Sequence, residues 1–404
     1  MRIGILHPYP VCGRAVGGVT RLHALVRHLA PRHTVTVLTH AGEDPATDAE
    51  AVRELAEMGV RQRLFPRPDA GPMERLSWVL GRSPYAVAYN RNPDLADALA
   101  ALVREDGLDV VHVELSYMAP FLARLDPRII RVLAEQETLS VALDRLRRVP
   151  FTKRTLFEHY VGMEKGKVRR FEDETLRTFQ ILYGISDTEA ARLAERTGRP
   201  IGVLPHIVAT RTFVPAPDEP TEPTEPTVLF VGNFVHRPNL HGLTWFLERV
   251  WPAVRAAVPA ARLEAVGPGL TEAWRRKCER DGVSAPGRVE NLVERYQRAA
   301  VFVNPIRTGG GMRGKVLEAF ACGRPVVSTP MGMEGIDAEP ERHHLEAQEP
   351  GPFSSAVVRY LKDADLRRTH GQAARNLVER LYDPSVVFAR FEGDALEAVS
   401  RRGN

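Results

Sequence analysis

Short runs of aliphatic and β-branched residues alternate along this chain with longer stretches whose apolar side chains return every third or fourth position. That rhythm predicts α/β units built around parallel strands. Arg2–His7 reads as a buried strand. A loop containing Pro8, Tyr9, Pro10, Gly13, Gly17 and Gly18 follows, and a helix is expected from about Thr20. On that helix Leu22, Leu25, Val26 and Leu29 fall at i, i+3, i+4 and i+7, one face of the cylinder. Further strands are expected at 34–39, 109–114, 129–134, 179–186 and 201–205. Residues 151–179 read as a heavily charged helix with Leu156, Tyr160, Met163, Phe171 and Leu176 as its apolar positions.

The pattern breaks at residues 214–227, where prolines and glutamates recur with no apolar periodicity. Such a stretch builds no packed core and reads as an extended linker. Beyond it the α/β rhythm restarts, with strands expected at 228–232, 262–267, 301–305 and 325–329. The expected division is 1–213, a linker at 214–227, a second domain at 228–383 and a final helix at 384–404.

Composition narrows the function classes. The chain has 404 residues, enough for more than one domain, and a formal charge of only +4. So small an excess does not point to nucleic acid. Cys12, Cys278 and Cys322 lie far apart with no CxxC spacing, which excludes a cysteine zinc module and fits a reducing, cytoplasmic setting. No apolar run reaches the ~20 residues that span a bilayer. The first strand begins at Arg2, so no signal peptide is expected.

The strongest chemical signal is the run Gly309-Gly310-Gly311-Met312-Arg313-Gly314-Lys315-Val316-Leu317-Glu318-Ala319, set between a predicted strand and a helix. Three glycines let backbone N–H groups approach a ligand, and the helix start adds a positive dipole end, so the turn suits an anion. Arg313 and Lys315 place positive charge where the dipole disfavours it, a local conflict that a bound anion resolves. Lys315 and Glu318, three apart, share a face. Neither a Walker A loop nor a Gly-x-Gly-x-x-Gly dinucleotide fingerprint is present in the required place, which weakens an oxidoreductase reading.

This segment resembles the donor-site signature of retaining GT-B glycosyltransferases of the GT4 type, the glycosyl transferases group 1, in the form Gly-Gly-Gly-x-Arg-x-Lys-x-x-Glu-Ala. Gly17-Gly18 after His7-Pro8-Tyr9-Pro10 is similar to that family's N-terminal glycine loop. The strand ending at Glu114, the segment from Val231 to Asn239, and Val266-Gly267-Pro268-Gly269 are similar to further family blocks in the same order. The resemblance implies two Rossmann-like domains facing across a cleft, with the final helix crossing back from Pro384. It implies transfer of a sugar from a UDP- or GDP-sugar to an acceptor hydroxyl with retention at the anomeric carbon. Glu318 would bond the ribose hydroxyls. Lys315, with Arg313 or Arg237, would neutralise the diphosphate. Gly17, Gly18, Gly309, Gly310, Gly311 and Asn304 would line the donor, and Glu114 or His112 would border the cleft. No cofactor and no metal are implied.

Three departures stand out. The first of the family's two glutamates falls on Gly310. The usual Arg…Lys pair opening the second domain is replaced by Asn233 and the His236-Arg237 step. The segment before the linker reads Pro205-His206-Ile207-Val208-Ala209. Acceptor classes left open are a glycan, a lipid-linked sugar and a small natural product, with peripheral membrane contact through the basic helix around 151–170. A nucleotide-sugar epimerase on the same scaffold and a non-catalytic partner subunit are the alternatives. Oligomeric state is not readable.

Overall fold

The computed structural model describes the chain except residues 14–17, 68–69, 137, 148–153, 217–225 and 404. It divides into two compact units, Met1–His206 with Val387–Asn404, and Ile207–Val386. Each contains one wholly parallel sheet.

In the first unit seven strands are ordered β3-β2-β1-β4-β5-β6-β7. They are β1 (Arg2–His7), β2 (Thr34–His40), β3 (Arg61–Phe65), β4 (Val110–Val113), β5 (Ile130–Glu135), β6 (Ile181–Gly184) and β7 (Gly202–Val203). In register β1 sets Ile3 opposite both Val35 of β2 and Val110 of β4, so the strand order reverses on either side of it. Helices cover the sheet because a parallel sheet needs both faces shielded. Gly18–Leu29 does so with Leu22, Leu25, Val26 and Leu29, all essentially inaccessible, the face expected from their spacing.

The second unit repeats the plan with six strands ordered β10-β9-β8-β11-β12-β13. These are β8 (Thr227–Val231), β9 (Arg262–Val266), β10 (Val283–Gly287), β11 (Val301–Asn304), β12 (Val326–Ser328) and β13 (Leu345–Glu346). Its core gathers Val228, Phe230, Leu263, Val301 and Val303 from the strands with Phe246, Trp251, Phe353 and Tyr360 from the helices. Arg375 fastens this unit's entering segment: its guanidinium donates to the carbonyls of Phe213, Ala321 and Thr210. Val208 N–H donates to Tyr382 O at 3.0 Å, so the entering and leaving segments lie side by side.

Two expectations are revised. The helix Arg154–Leu176 packs through Val161, Glu164, Val168, Glu172 and Leu176, whereas Met163 is 54% exposed. Carboxylates enter this face because each has donors waiting. Glu164 accepts from Tyr85 N–H, and Glu172 accepts from Ser140 N–H at 3.1 Å and from Arg196 at 2.6 Å. Leu156 lies outside the described side chains. The second revision is at the sheet margins: β3, β10 and β13 were not expected, and all three are edge strands. Edge strands carry polar positions such as Arg61 and Arg63, or a proline such as Pro286, and do not read as apolar runs.

The helix Pro384–Gly403 belongs to the first unit from Val387 onward. Glu392 holds it there, one carboxylate oxygen 2.8 Å from His33 Nε2 and the other 3.0 Å from His28 Nε2 and 2.8 Å from Arg32. Cys12, Cys278 and Cys322 are free thiols. Among the described residues no helix is long and apolar enough to cross a membrane.

One buried carboxyl yields a test of the fold. Glu135 ends β5 and is 3% exposed; burial pushes it from 4.5 up to about 8, opposed by bonds from Ser116 and reinforced by Glu172 and Glu189. The native state keeps this proton while the unfolded chain has lost it, so stability falls as pH rises from 4.5 to about 8. Glu135→Gln should flatten that decline. Melting temperatures of both proteins across this range check it, the difference between them isolating Glu135 from the titrating histidines.

Candidate donor site and a buried ionic cluster

In the second unit the site grows from the switch between β8 and β11, the point where open α/β sheets receive ligands at strand carboxyl ends. After β8, Gly232 passes so close to Asn239 that a Cβ there would sit 3.0 Å from the amide carbon. After β9, Gly267 has φ +136°, and a Cβ would lie 2.0 Å from Gly232 O, so only glycine fits. Phe234 N–H donates to Pro268 O at 2.8 Å, lacing the two loops together.

After β11 comes the glycine turn. Gly309 (φ +88°) and Gly311 (φ +82°) are left-handed, a conformation costly for any residue with a side chain. The helix Gly314–Ala321 starts behind Arg313 with no side-chain cap and no acid in its first turn. Val316 N–H turns back to Arg313 O at 2.9 Å, and no side-chain oxygen caps the N–H groups of Gly314 and Lys315. Val316, Leu317, Ala319, Phe320 and Ala321 bury the other face, which orients Lys315 and Glu318 together. Lys315 Nζ donates to Asn239 Oδ1 at 2.8 Å and stands 4.6 Å from the centre of the Phe230 ring. Burial and then Arg313 push its ammonium well below the ordinary lysine range, while Glu318 pulls the other way. Glu318 Oε2 accepts from Tyr296 O–H at 2.8 Å. Burial raises the Glu318 carboxyl, with the Tyr296 bond and Lys315 opposing. Arg313 donates to Gly310 O and closes the turn on itself.

The other expected residues are placed as follows. Arg237 opens the helix Arg237–Trp245 and is exposed. Asn304 is fully buried, its Nδ2 donating to Gly332 O at 2.9 Å and Ser328 Oγ at 3.2 Å, with no partner for Oδ1 among the described residues. Tyr296, which holds Glu318, carries no sequence signal beyond its type, and Asn239, which holds Lys315, falls in the Val231–Asn239 segment without a role assigned to it there. Among the described residues no group of histidine, cysteine, aspartate and glutamate is arranged to hold a metal.

In the first unit Gly17 lies outside the described residues. Gly18 begins its helix beneath Gln136, whose amide nitrogen would be 2.1 Å from a Cβ. Gln136 donates to Glu114 Oε2 at 3.0 Å. Glu114 itself is fully buried, 2.6 Å from Arg21 and 3.1 Å from His112 Nε2. Burial would raise its carboxyl, but Arg21 and His112 outweigh that and hold it far below the usual range. Arg21, 1% exposed, also donates to Leu204 O at 2.7 Å. Burial, with Arg21 adding, brings His206 down to about 4, and burial also lowers His7. The result is a fixed ion pair among histidines, two of them lowered.

Comparison with known proteins bears on the fold and on each half of the chain. Residues 16–205 match the Glycosyl transferase 4-like domain and residues 225–363 match Glycosyl transferases group 1. Each match lies within one half of the chain and covers less than half of its length, and the fold is GT-B. Sucrose-phosphate synthase from Thermosynechococcus elongatus is similar over 99% of both chains, with TM-score 0.70 and 19% identity. Anabaena HepE, solved in complex with UDP, is similar over 98% of this chain and 100% of its own, with TM-score 0.70 and 13% identity. WaaG, a glycosyltransferase involved in lipopolysaccharide biosynthesis, gives 0.63 and 16% over 97% of this chain and 98% of its own. A 44.6 kDa protein in the cps region of Klebsiella pneumoniae is 29% identical over 171 residues, 40% of this chain. The chain thus spans 44% of the length of that curated relative.

The Tyr296–Glu318 bond gives a test of the site's construction. Tyr296→Phe removes the donor and leaves a buried carboxylate oxygen without it. A loss of about 1–3 kcal/mol in unfolding free energy is expected. Urea denaturation measures it, and an unchanged midpoint would show that Glu318 finds another donor.

Proposed function

We propose that this protein transfers a sugar from a nucleoside-diphosphate donor to an acceptor hydroxyl, with retention at the anomeric carbon. The observation that carries the reading is Lys315, a half-buried ammonium over Phe230 beside an uncapped helix start and two left-handed glycines. A diphosphate supplies the negative charge this corner lacks. It favours the charged form of Lys315 and accepts from N–H groups of the glycine turn and the helix start. Glu318, with only Oε2 engaged among the described residues, presents Oε1 to the paired hydroxyls of a ribose. Arg313 and Arg237 add charge around the leaving diphosphate. Because that charge grows as the glycosidic bond breaks, stabilising it lowers the barrier.

Gly310 stands where the family's first glutamate is expected, so the donor sugar meets backbone there instead of a carboxylate. This supports a pocket with little discrimination at the ring hydroxyl concerned. Retention rests on the family resemblance, and the UDP seen with HepE supports a uridine donor here. The first unit would take the acceptor. There we propose that Glu114 acts as a positioning residue, holding Arg21 and, through Gln136, the backbone at Gly18.

Substitution separates the two principal roles. Glu318→Ala should weaken UDP binding about ten- to a hundredfold, the scale of lost charge-assisted hydrogen bonds. Lys315→Ala should mainly lower kcat for donor hydrolysis or transfer, since its partner gains charge in the transition state. Calorimetric titration with UDP and turnover of UDP-glucose check both; wild-type behaviour in both variants would remove the assignment. Proton NMR of the anomeric centre of the product tests retention.

Metal dependence is a separate measurement. With basic side chains at the diphosphate, EDTA is expected to leave turnover unchanged. Loss in EDTA with recovery on Mg2+ or Mn2+ would put a metal in their place.

A further inference from the structure

A second cluster lies in the first unit at the carboxyl ends of β1, β2 and β3, and the donor chemistry does not use it. Arg67 follows β3 and is clamped between two tyrosines, its guanidinium carbon 4.7 Å from the centre of the Tyr89 ring and 5.5 Å from that of Tyr9. Its NH1 donates to Asn90 Oδ1 at 2.9 Å and its NH2 to Pro8 O at 2.6 Å. Both acceptors are neutral, and Arg67 makes no salt bridge to a described residue. A guanidinium has five N–H donors, so three remain without a partner among the described residues. Its anchor is firm: Asn90 is 5% exposed, with Nδ2 donating to Ala86 O at 2.7 Å and its own carbonyl meeting His40 Nε2 at 3.1 Å.

The rings around it face outward. Tyr9 is 52% and Tyr89 43% exposed, although both lie in ordered contacts. Tyr85 stacks on Tyr89 with 10° between the planes, and Trp78 meets both edge-on at 5.9 and 6.3 Å. Tyr9 is fixed from below by His7, whose Nδ1 lies 2.9 Å from Tyr9 O and 3.2 Å from Tyr9 N. Exposed aromatic faces held rigid beside a guanidinium with no ion-pair partner among the described residues match a saccharide carrying an anionic group. The sugar's C–H face lies on a ring while carboxylate or phosphate oxygens take the remaining N–H donors.

We propose that Arg67, Tyr9 and Tyr89 form an acceptor subsite for an anionic sugar. This rests on the reading of the first unit as the acceptor side, and it narrows the acceptor from any hydroxyl compound to an acidic or phosphorylated saccharide. Arg67 supplies charge and orientation, and the tyrosines supply area.

The test is a binding titration of the full chain with methyl glucuronoside, glucose 1-phosphate and methyl glucoside, followed by saturation-transfer NMR. One or both anionic sugars should bind at least about tenfold more tightly than the neutral glucoside, the scale of one charge-assisted hydrogen bond. Whichever binds tells carboxylate from phosphate. Arg67→Gln should erase the preference while leaving the glucoside unchanged, and Arg67→Lys should restore part of it. Tyr9→Ala, at a half-exposed ring, should weaken all three sugars. Equal binding of the three by wild type, or equal losses across them in Arg67→Gln, would overturn the proposal. UDP-glucose turnover is read in parallel. A chain that binds anionic sugars through Arg67 yet turns over no UDP-glucose keeps this subsite and overturns the transferase reading; turnover without anion preference does the reverse.

Discussion

A parallel sheet delivers every strand's carboxyl end to the same edge, and everything chemical in this protein follows from that constraint. In the second unit it brings the ends of β8, β9 and β11 together. The backbone there must turn sharply three times within a few ångströms, which is why Gly232, Gly267, Gly309 and Gly311 occupy the turns. The same crowding forces a lysine under cover. Lys315 can be half-buried only because Asn239, Phe230 and Glu318 each offer it something, and none of the three neutralises it completely. The corner is built with an electrostatic deficit.

The first unit treats charge differently. Arg21 and Glu114 satisfy each other at 2.6 Å in full burial, with His112, Gln136 and Leu204 O taking up further bonding positions. Removing one partner from such a pair leaves an uncompensated buried charge, a loss of about 3–5 kcal/mol. That cluster is suited to rigidity. Arg67, by contrast, meets neutral oxygens and two rings among the described residues, with no carboxylate among its partners there. Buried ion pair and part-buried guanidinium thus divide the labour of one sheet edge.

How much of this could be read from residues alone depends on how local each cause is. The central strands announce themselves because both faces are buried and their sequences are continuously apolar, as in Val301-Phe302-Val303. The edge strands β3, β10 and β13 keep polar residues and a proline, so local pattern does not mark them. The turn at Gly309 and the face shared by Lys315 and Glu318 were readable, since they lie within ten residues of one another. Their pairing with Asn239 and Tyr296 was not, because those residues arrive from other elements. Arg67 escaped notice for the same reason: Tyr9 and Tyr89 reach it from 58 and 22 positions away and bear no motif. The helix Arg154–Leu176 misled because its inward carboxylates are matched only by donors distant in sequence.

The clasp of Glu392 on His28 and His33 has a bearing on biosynthesis. The first unit is discontinuous, closed by residues that follow the entire second unit in the chain. A ribosome making this protein releases Ile207–Val386 before the helix bearing Glu392. The second unit, whose entering and leaving segments already pair through Val208 and Tyr382, is therefore complete while the first still waits for its last helix. During that interval the apolar face that Phe388 and Phe391 later cover is exposed in the nascent chain. The sheet translated first is thus the one finished last, and a truncation after Val386 would strand it in that unfinished condition.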